Sequence, residues 1–389
     1  MIDYRSFLNR EVQEIKPSGI RRFFDIASEM DNVISLSIGE PDFSTPYHVR
    51  QEGIRTLEQG KTWYSPNRGF MELREEICRW MGRRYGVEYS PKDDVLVTVG
   101  GSEALDMCIR SLVSPGDEVL IPEPSFVCYV PLTQMARGVP VVIETKAEDH
   151  FRLTAQALRE KITPKTKLLI LPYPNNPTGA VMRREDLEAI AQVVEEKNLL
   201  VLSDEIYGEL TYGHQRHVCF ASLPGMRERT IVVNGFSKMF AMTGWRLGFA
   251  VGPREIIAPM TKLHQYAIMS APTTAQYAAT EALRNGDGDI EYMRDQYDMR
   301  RRLIVDGLNR IGLPCFEPEG AFYVFSSLAK TGMDSETFCE RLLQEERVAV
   351  VPGSAFGDCG EGFVRISYCY SIKHITEALR RMERFVNRL

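Results

Sequence analysis

A lysine stands in a short run of small and apolar residues, Asn234-Gly235-Phe236-Ser237-Lys238, and Arg246 follows eight positions later. Burial disfavours an ammonium, so a lysine in such a setting presents a neutral, nucleophilic amine. The Ser237 hydroxyl and the Arg246 guanidinium are donors able to hold a phosphate through charge-assisted bonds. Read alone, the pair is equally a solvent-facing lysine and an arginine paired with acids. In Asp204-Glu205-Ile206-Tyr207, the aspartate can accept a proton-bearing ring nitrogen and the tyrosine can donate to a phenolate oxygen. By itself this motif is better read as a capping aspartate with a core tyrosine. Gly100-Gly101-Ser102-Glu103 offers two glycines, which let backbone amides approach an anion, ahead of what reads as a helix N-terminus. A tight turn with Ser102 as N-cap explains it as well, and it has neither the lysine of a Walker loop nor the G-x-G-x-x-G spacing. Pro174-Asn175-Asn176-Pro177-Thr178-Gly179 is a turn that holds Asn176 extended before a proline. Phe126, Tyr64 and Arg365 complete the candidates, each with a bland alternative as core, turn or strand-face residue.

The elements that must position these residues follow an α/β alternation. Apolar runs at 94–100, 118–121, 139–144, 167–171, 199–203, 230–234 and 247–251 read as strands, most of them continuous, as when both faces of a strand are covered. Helical spacing occupies 102–112 and 184–197. The pattern is a large domain with a mostly parallel, seven-stranded type of sheet covered by helices. A Gly/Asp-rich turn at 285–289 precedes a long helix, after which strands at 321–325, 348–351 and 363–367 and a helix at 335–346 form a smaller α+β domain. We therefore expect an arm and part of the small domain at 1–46, packed on that domain, the large domain at 47–285, and the rest of the small domain at 286–389.

The 389 residues are 44% hydrophobic and 26% charged, as in ordinary globular chains, and 47 Lys and Arg against 53 Asp and Glu leave a formal charge of −6. That balance lacks the positive field needed for nucleic-acid or anionic-membrane binding, so a small-molecule partner is expected. Eight scattered cysteines with no C-x-x-C pair describe neither a zinc framework nor a disulfide scaffold, and the N-terminus has no signal-like apolar stretch. A reduced, cytoplasmic setting with no metal is the expectation.

Taken in order, these segments, with Ser35-Leu36-Ser37-Ile38-Gly39-Glu40-Pro41-Asp42 ahead of them, resemble the class I and II aminotransferases, pyridoxal-phosphate enzymes of the aspartate-aminotransferase fold. The resemblance covers most of the chain. It implies that Lys238 holds pyridoxal 5'-phosphate covalently and shuttles the proton of the substrate Cα, and that Asp204 keeps the pyridine nitrogen protonated. It implies that Tyr207 and Asn176 donate to the 3' oxygen and that Phe126 stacks on the ring. The backbone amides of Gly101, Ser102 and Glu103, with Ser237 and Arg246, would bind the phosphate. Arg365, helped by the Gly39 N–H, would grip the substrate α-carboxylate. Tyr64 would reach the phosphate of a neighbouring subunit, which makes the working unit a homodimer with shared sites.

Two departures bear on specificity. Many relatives carry serine where this chain has Gly235, and those selective for dicarboxylic substrates often carry lysine at the place of Ser102. The second departure points to aromatic or broad neutral amino acids as donors, with 2-oxoglutarate as an acceptor. The segment from Ile15 to Arg21 resembles a stretch that folds over bound substrate. A C–S β-lyase of the same fold would use the same residues and differ only in its products. A non-catalytic ligand sensor is disfavoured, because every chemically necessary group is present and no basic helix-turn-helix extension accompanies them.

Overall fold

The computed structural model describes residues 2–17, 19, 30–213 and 216–389. In chain order their strands are β1 (Ile34–Ser35), β2 (Val95–Thr98), β3 (Glu118–Glu123), β4 (Val139–Glu144), β5 (Thr166–Leu171), β6 (Leu200–Asp204), β7 (Thr230–Gly235), β8 (Gly248–Val251), β9 (Tyr323–Ser327), β10 (Val348–Ala349), β11 (Val351–Pro352) and β12 (Phe363–Ser367). Strands β2 to β8 make one seven-stranded sheet in the order β2-β8-β7-β6-β5-β3-β4. Only β8 runs antiparallel to its neighbours.

Apolar residues on both faces of these strands are what helices on both sides require. In β5, Leu168 and Ile170 join one core with Leu105, Ile109 and Ile257, whereas Leu169 and Leu171 join another with Leu187, Ile190 and Val194. The helices concerned are Gly100–Leu112 and Arg254–Ala267 on the first face and Arg184–Glu196 on the second. Removing six or more such side chains from water at about 1.5–3 kcal/mol each outweighs any local preference in these segments.

The antiparallel sheet β11-β12-β9 and the parallel pair β1-β10 stand apart from the large sheet. The long helix Asp287–Arg310 turns Met293, Tyr297, Ile304 and Leu308 into a core shared with Phe338, Leu342, Ile375 and Met382. Three local expectations shift. The turn expected at 285–289 narrows to Gly286, between a helix that ends at Asn285 and this one, whose first turn carries Asp287 and Asp289, where acids complement the N-terminal dipole. The single strand expected at 348–351 divides, because Val348–Ala349 pairs with β1 and Val351–Pro352 with β12. The strand expected from Ala321 begins at Tyr323, since Ala321 has a φ of 56°.

The arm does not behave as one piece. Ile34–Ser35 pairs with β10, but Arg10–Glu14 lies beside the helix Tyr129–Met135, with Glu11 bonded to Arg137 at 3.2 Å. Arg10–Glu14 buries no side chain, so no apolar surface draws it toward the smaller sheet. No helix among the described residues is long and apolar enough to cross a membrane, and all eight cysteines are free.

Candidate active site

In an open α/β sheet, loops at the carboxyl ends of parallel strands converge on one edge. Here β2 delivers Gly100 and Gly101 to that edge, β3 delivers Phe126, β5 delivers Asn176, β6 ends on Asp204, and β7 leads through Gly235 to the short helix Phe236–Met239. Because β8 is antiparallel, its beginning lies at the same edge. Gly248 pairs with both Thr98 and Gly235, and Arg246 just ahead of it is brought against Gly100. A cavity of about 1240 Å³ opens there, lined by Gly39, Gly101, Ser102, Phe126, Asn176, Asp204, Tyr207, Ser237, Lys238, Arg246 and Arg365 among others.

The Lys238 amine donates to the carbonyl of Gly39 at 2.6 Å. Burial lowers its pKa from the usual 10.5 to about 8; Cys369 and Glu40 oppose that shift, and Arg246 and Arg365 act with it. Only the neutral amine attacks an aldehyde. Protein stripped of cofactor should therefore capture pyridoxal phosphate about tenfold faster per pH unit up to about pH 8, then level off. Stopped-flow absorbance checks this, and a rise continuing to pH 10 would mean an ordinary lysine.

Asp204 is buried and accepts from the Tyr129 hydroxyl at 2.8 Å and from the Ile206 backbone at 3.2 Å. Desolvation pushes its pKa up to about 6 against the pull of those two donors. The Tyr207 hydroxyl lies 2.8 Å from that of Tyr323. Arg365 is buried, donates to Asn176 Oδ1 at 3.0 Å and to the Ser37 carbonyl, and is stacked 4.6 Å over Tyr323 and 4.9 Å over Phe356. Its Nε is buried with no partner among the described residues.

The glycine end is shaped by backbone crowding. A Cβ at Gly248 would sit 2.6 Å from Gly100 C and 2.7 Å from Gly101 N, and one at Gly100 would meet Arg246 Nη2 at 2.6 Å. Arg246 takes a φ of 53°, a left-handed conformation that costs about 1–2 kcal/mol. Its guanidinium donates to the Thr243 carbonyl at 2.9 Å. Gly248→Ala should displace Gly100 and Gly101 and weaken pyridoxal-phosphate affinity by about tenfold or more, about 1.4 kcal/mol, as measured by equilibrium dialysis.

Two of the expected site residues do not line this cavity, as a role toward a second subunit for Tyr64 and a backbone role for Glu103 allow. Tyr64 is 78% exposed and borders a separate cleft with Trp63, Ser270 and Thr273. Glu103 turns its carboxylate away from the cavity, to the Val99 N–H at 2.5 Å and to buried His264 at 2.6 Å, so only its backbone remains available for an anion. Ser102 is not an N-cap, because the helix begins at Gly100. Asn176 precedes a cis proline. Of the arm, Pro17 lines the cavity, whereas Ser18, Ile20 and Arg21 lie outside the described residues. Sequence reasoning missed Tyr129 and Tyr323. Nothing local separates either from a core tyrosine, although Tyr129 stands three residues after Phe126.

These groups suit pyridoxal phosphate: an amine for its aldehyde, a carboxylate for its ring nitrogen, hydroxyls for its ring oxygen, and a glycine cradle with an arginine for its phosphate. The family model for aminotransferase class I and II matches residues 31–382. An aspartate aminotransferase of Pyrococcus abyssi is 47% identical over 95% of this chain and 96% of its own. Aromatic-amino-acid aminotransferase 2 of Thermococcus litoralis is 44% identical over 97% of each. The crystal structure of an aromatic aminotransferase from Pyrococcus horikoshii superposes with a TM-score of 0.90 at 47% identity, covering 94% of this chain and 99% of that one. With a matching family model over most of its length and relatives this similar, the chain belongs to the class I and II aminotransferases, enzymes that work with pyridoxal phosphate.

Proposed function

We propose that this enzyme moves the amino group of an aromatic or broadly neutral L-amino acid to a 2-oxo acid such as 2-oxoglutarate, in a ping-pong cycle and as a homodimer. One observation carries the donor preference. The cations among the described lining residues are Lys238, Arg246 and Arg365. Lys238 is taken by the cofactor aldehyde, Arg246 stands at the glycine end, and Arg365 serves the α-carboxylate. None remains among the described lining residues for a side-chain carboxylate, and Ser102 stands where dicarboxylate-selective relatives often carry lysine. Ile38, Leu105, Phe126, Val127 and Ile206 supply apolar walls instead.

When bound, pyridoxal phosphate supplies the electron sink that stabilises negative charge at the substrate Cα and carries the amino group between half-reactions. Every other part of the work falls to the chain. Lys238 tethers the cofactor and, once released, moves the proton at Cα. The Asp204 carboxylate holds the proton of the ring nitrogen. Tyr207 and Asn176 donate to the ring oxygen, and Phe126 stacks on the ring. Gly101, Ser102 and Glu103 offer backbone N–H groups to the phosphate, joined by Ser237 and Arg246. Arg365 orients the α-carboxylate with a planar fork, beside Gly39.

The dimer reading rests on Tyr64, which is exposed together with Trp63, Tyr266 and Met269, an apolar surface suited to a second copy that would receive the Tyr64 hydroxyl at its phosphate. Half-reaction spectra with a panel of amino acids test the donor preference. Phenylalanine or tyrosine should convert the cofactor with a rate-to-affinity ratio at least about tenfold above that of aspartate. Aspartate reacting as fast or faster would overturn it.

A further inference from the structure

Tyr323 has no part in the reading above, yet it touches three of its groups. The β9–β12 register pairs Tyr323 with Ser367 and Phe325 with Arg365. Residues two apart on a strand share a face, so Tyr323 is the diagonal cross-strand neighbour of Arg365. Its ring lies 4.6 Å beneath the Arg365 guanidinium, and its hydroxyl lies 2.8 Å from that of Tyr207. On a third side Gly39 closes in: a Cβ there would come 2.0 Å from the Tyr323 oxygen. The Gly39 carbonyl is the one that holds Lys238. This phenol is 1% exposed and lies at the wall of the cavity.

We infer that Tyr323 is a positioning residue that joins the carboxylate fork to the ring-oxygen donor: its ring holds the Arg365 guanidinium flat, and its hydroxyl fixes the direction of the Tyr207 proton. The inference rests on the roles proposed above for Arg365 and Tyr207. A hydroxyl has one proton and two acceptor positions. When Tyr323 donates to the Tyr207 oxygen, the Tyr207 proton is left to point into the cavity. Among the described residues neither hydroxyl has another hydrogen-bond partner. The charged and titratable groups facing the pair are Arg365, Lys238, Cys369 and, on the Tyr207 side, Tyr129. The Cys369 sulfur is engaged with Ser367 and the Ile38 carbonyl.

The test uses holoenzyme and reads three quantities: the pH midpoint of the visible cofactor band, kcat, and KM for the amino donor. Tyr323→Phe keeps the ring and removes the hydroxyl. It should raise the midpoint by about half a pH unit and lower kcat roughly three- to tenfold, with KM changing less than about twofold. Tyr323→Leu removes the platform as well and should raise KM by about tenfold or more. In a Tyr207→Phe background, Tyr323→Phe should cause no further shift of the midpoint, because the residue acts through Tyr207. An unchanged midpoint in Tyr323→Phe, an equal shift in the Tyr207→Phe background, or equal KM effects of phenylalanine and leucine would overturn the inference. Cofactor loading in the same spectra reports folding. Should the leucine variant fail to load, the phenylalanine variant and the double substitution decide. A wild-type protein without a titrating band overturns the active-site reading itself, whereas a normal wild-type band with an unmoved Tyr323→Phe overturns this inference alone.

Discussion

Lys238→Ala is expected to lower amine transfer by roughly 10⁴-fold or more, because one side chain serves both as the covalent tether and as the proton carrier at Cα. Lys238→Arg should lose as much. It keeps a charge of the same sign at the same place but cannot present a neutral amine at any pH the fold survives. Added small amines should restore part of the activity of the alanine variant, since the cavity is open enough to admit them. Borohydride treatment of the loaded wild-type protein, followed by peptide mass analysis, should place the pyridoxyl label on Lys238 and give none in the variants. A label on another lysine, or a variant that retains about a hundredth of the wild-type rate, would remove the foundation of the proposed mechanism.

The second large effect is expected at Asp204. Asp204→Asn keeps the shape and an oxygen able to accept from Tyr129, now 2.8 Å away, so the fold and the loop should survive. What is lost is a negative charge in a buried setting, where a charge aimed at a ring cation counts for more than it would in water. A fall in kcat of roughly 10³-fold with KM changed less than about threefold is expected, since the loss falls on the reacting state rather than on substrate binding. The sign of the pH effect follows from burial. In the ligand-free protein the carboxylate is charged above about pH 6 and protonated below it, so cofactor binding should weaken as pH falls through that value. Asp204→Asn has no such charge to lose, and its cofactor binding should lack this acid limb. Equal pH profiles for the two proteins would show that Asp204 does not face the ring nitrogen.

The two residues stand on different strands yet serve one reaction. Asp204 closes β6, and Lys238 follows β7. Combining them should therefore not simply multiply the losses, since both act on the same Cα proton transfer. The comparison with kcat for Tyr323→Phe is then informative: a residue that works through a neighbour should cost far less than either group that does the chemistry.

Much of this enzyme is legible in its sequence, for a local reason. Short runs rich in β-branched and apolar residues read as strands, and a helix on a sheet surface must be apolar on one stripe, so strands at 139–144 and 363–367 and the helix at 335–346 read at their true ends. The motifs sit where loops leave those strands, and their order carried the family. Tertiary structure decided what local pattern cannot hold. The run at 348–351 serves two sheets because its partners, Ile34–Ser35 and Val364–Arg365, come from opposite parts of the chain. Arg246 meets Gly100 only because β8 runs antiparallel between β2 and β7. Tyr129 reaches Asp204 across 75 residues, Tyr323 reaches Tyr207 across 116, and Arg365 reaches Ser37 across 328. Composition and spacing set which groups were present at the sheet edge. Strand order and register, which depend on the packing of the whole chain, set which of them touch.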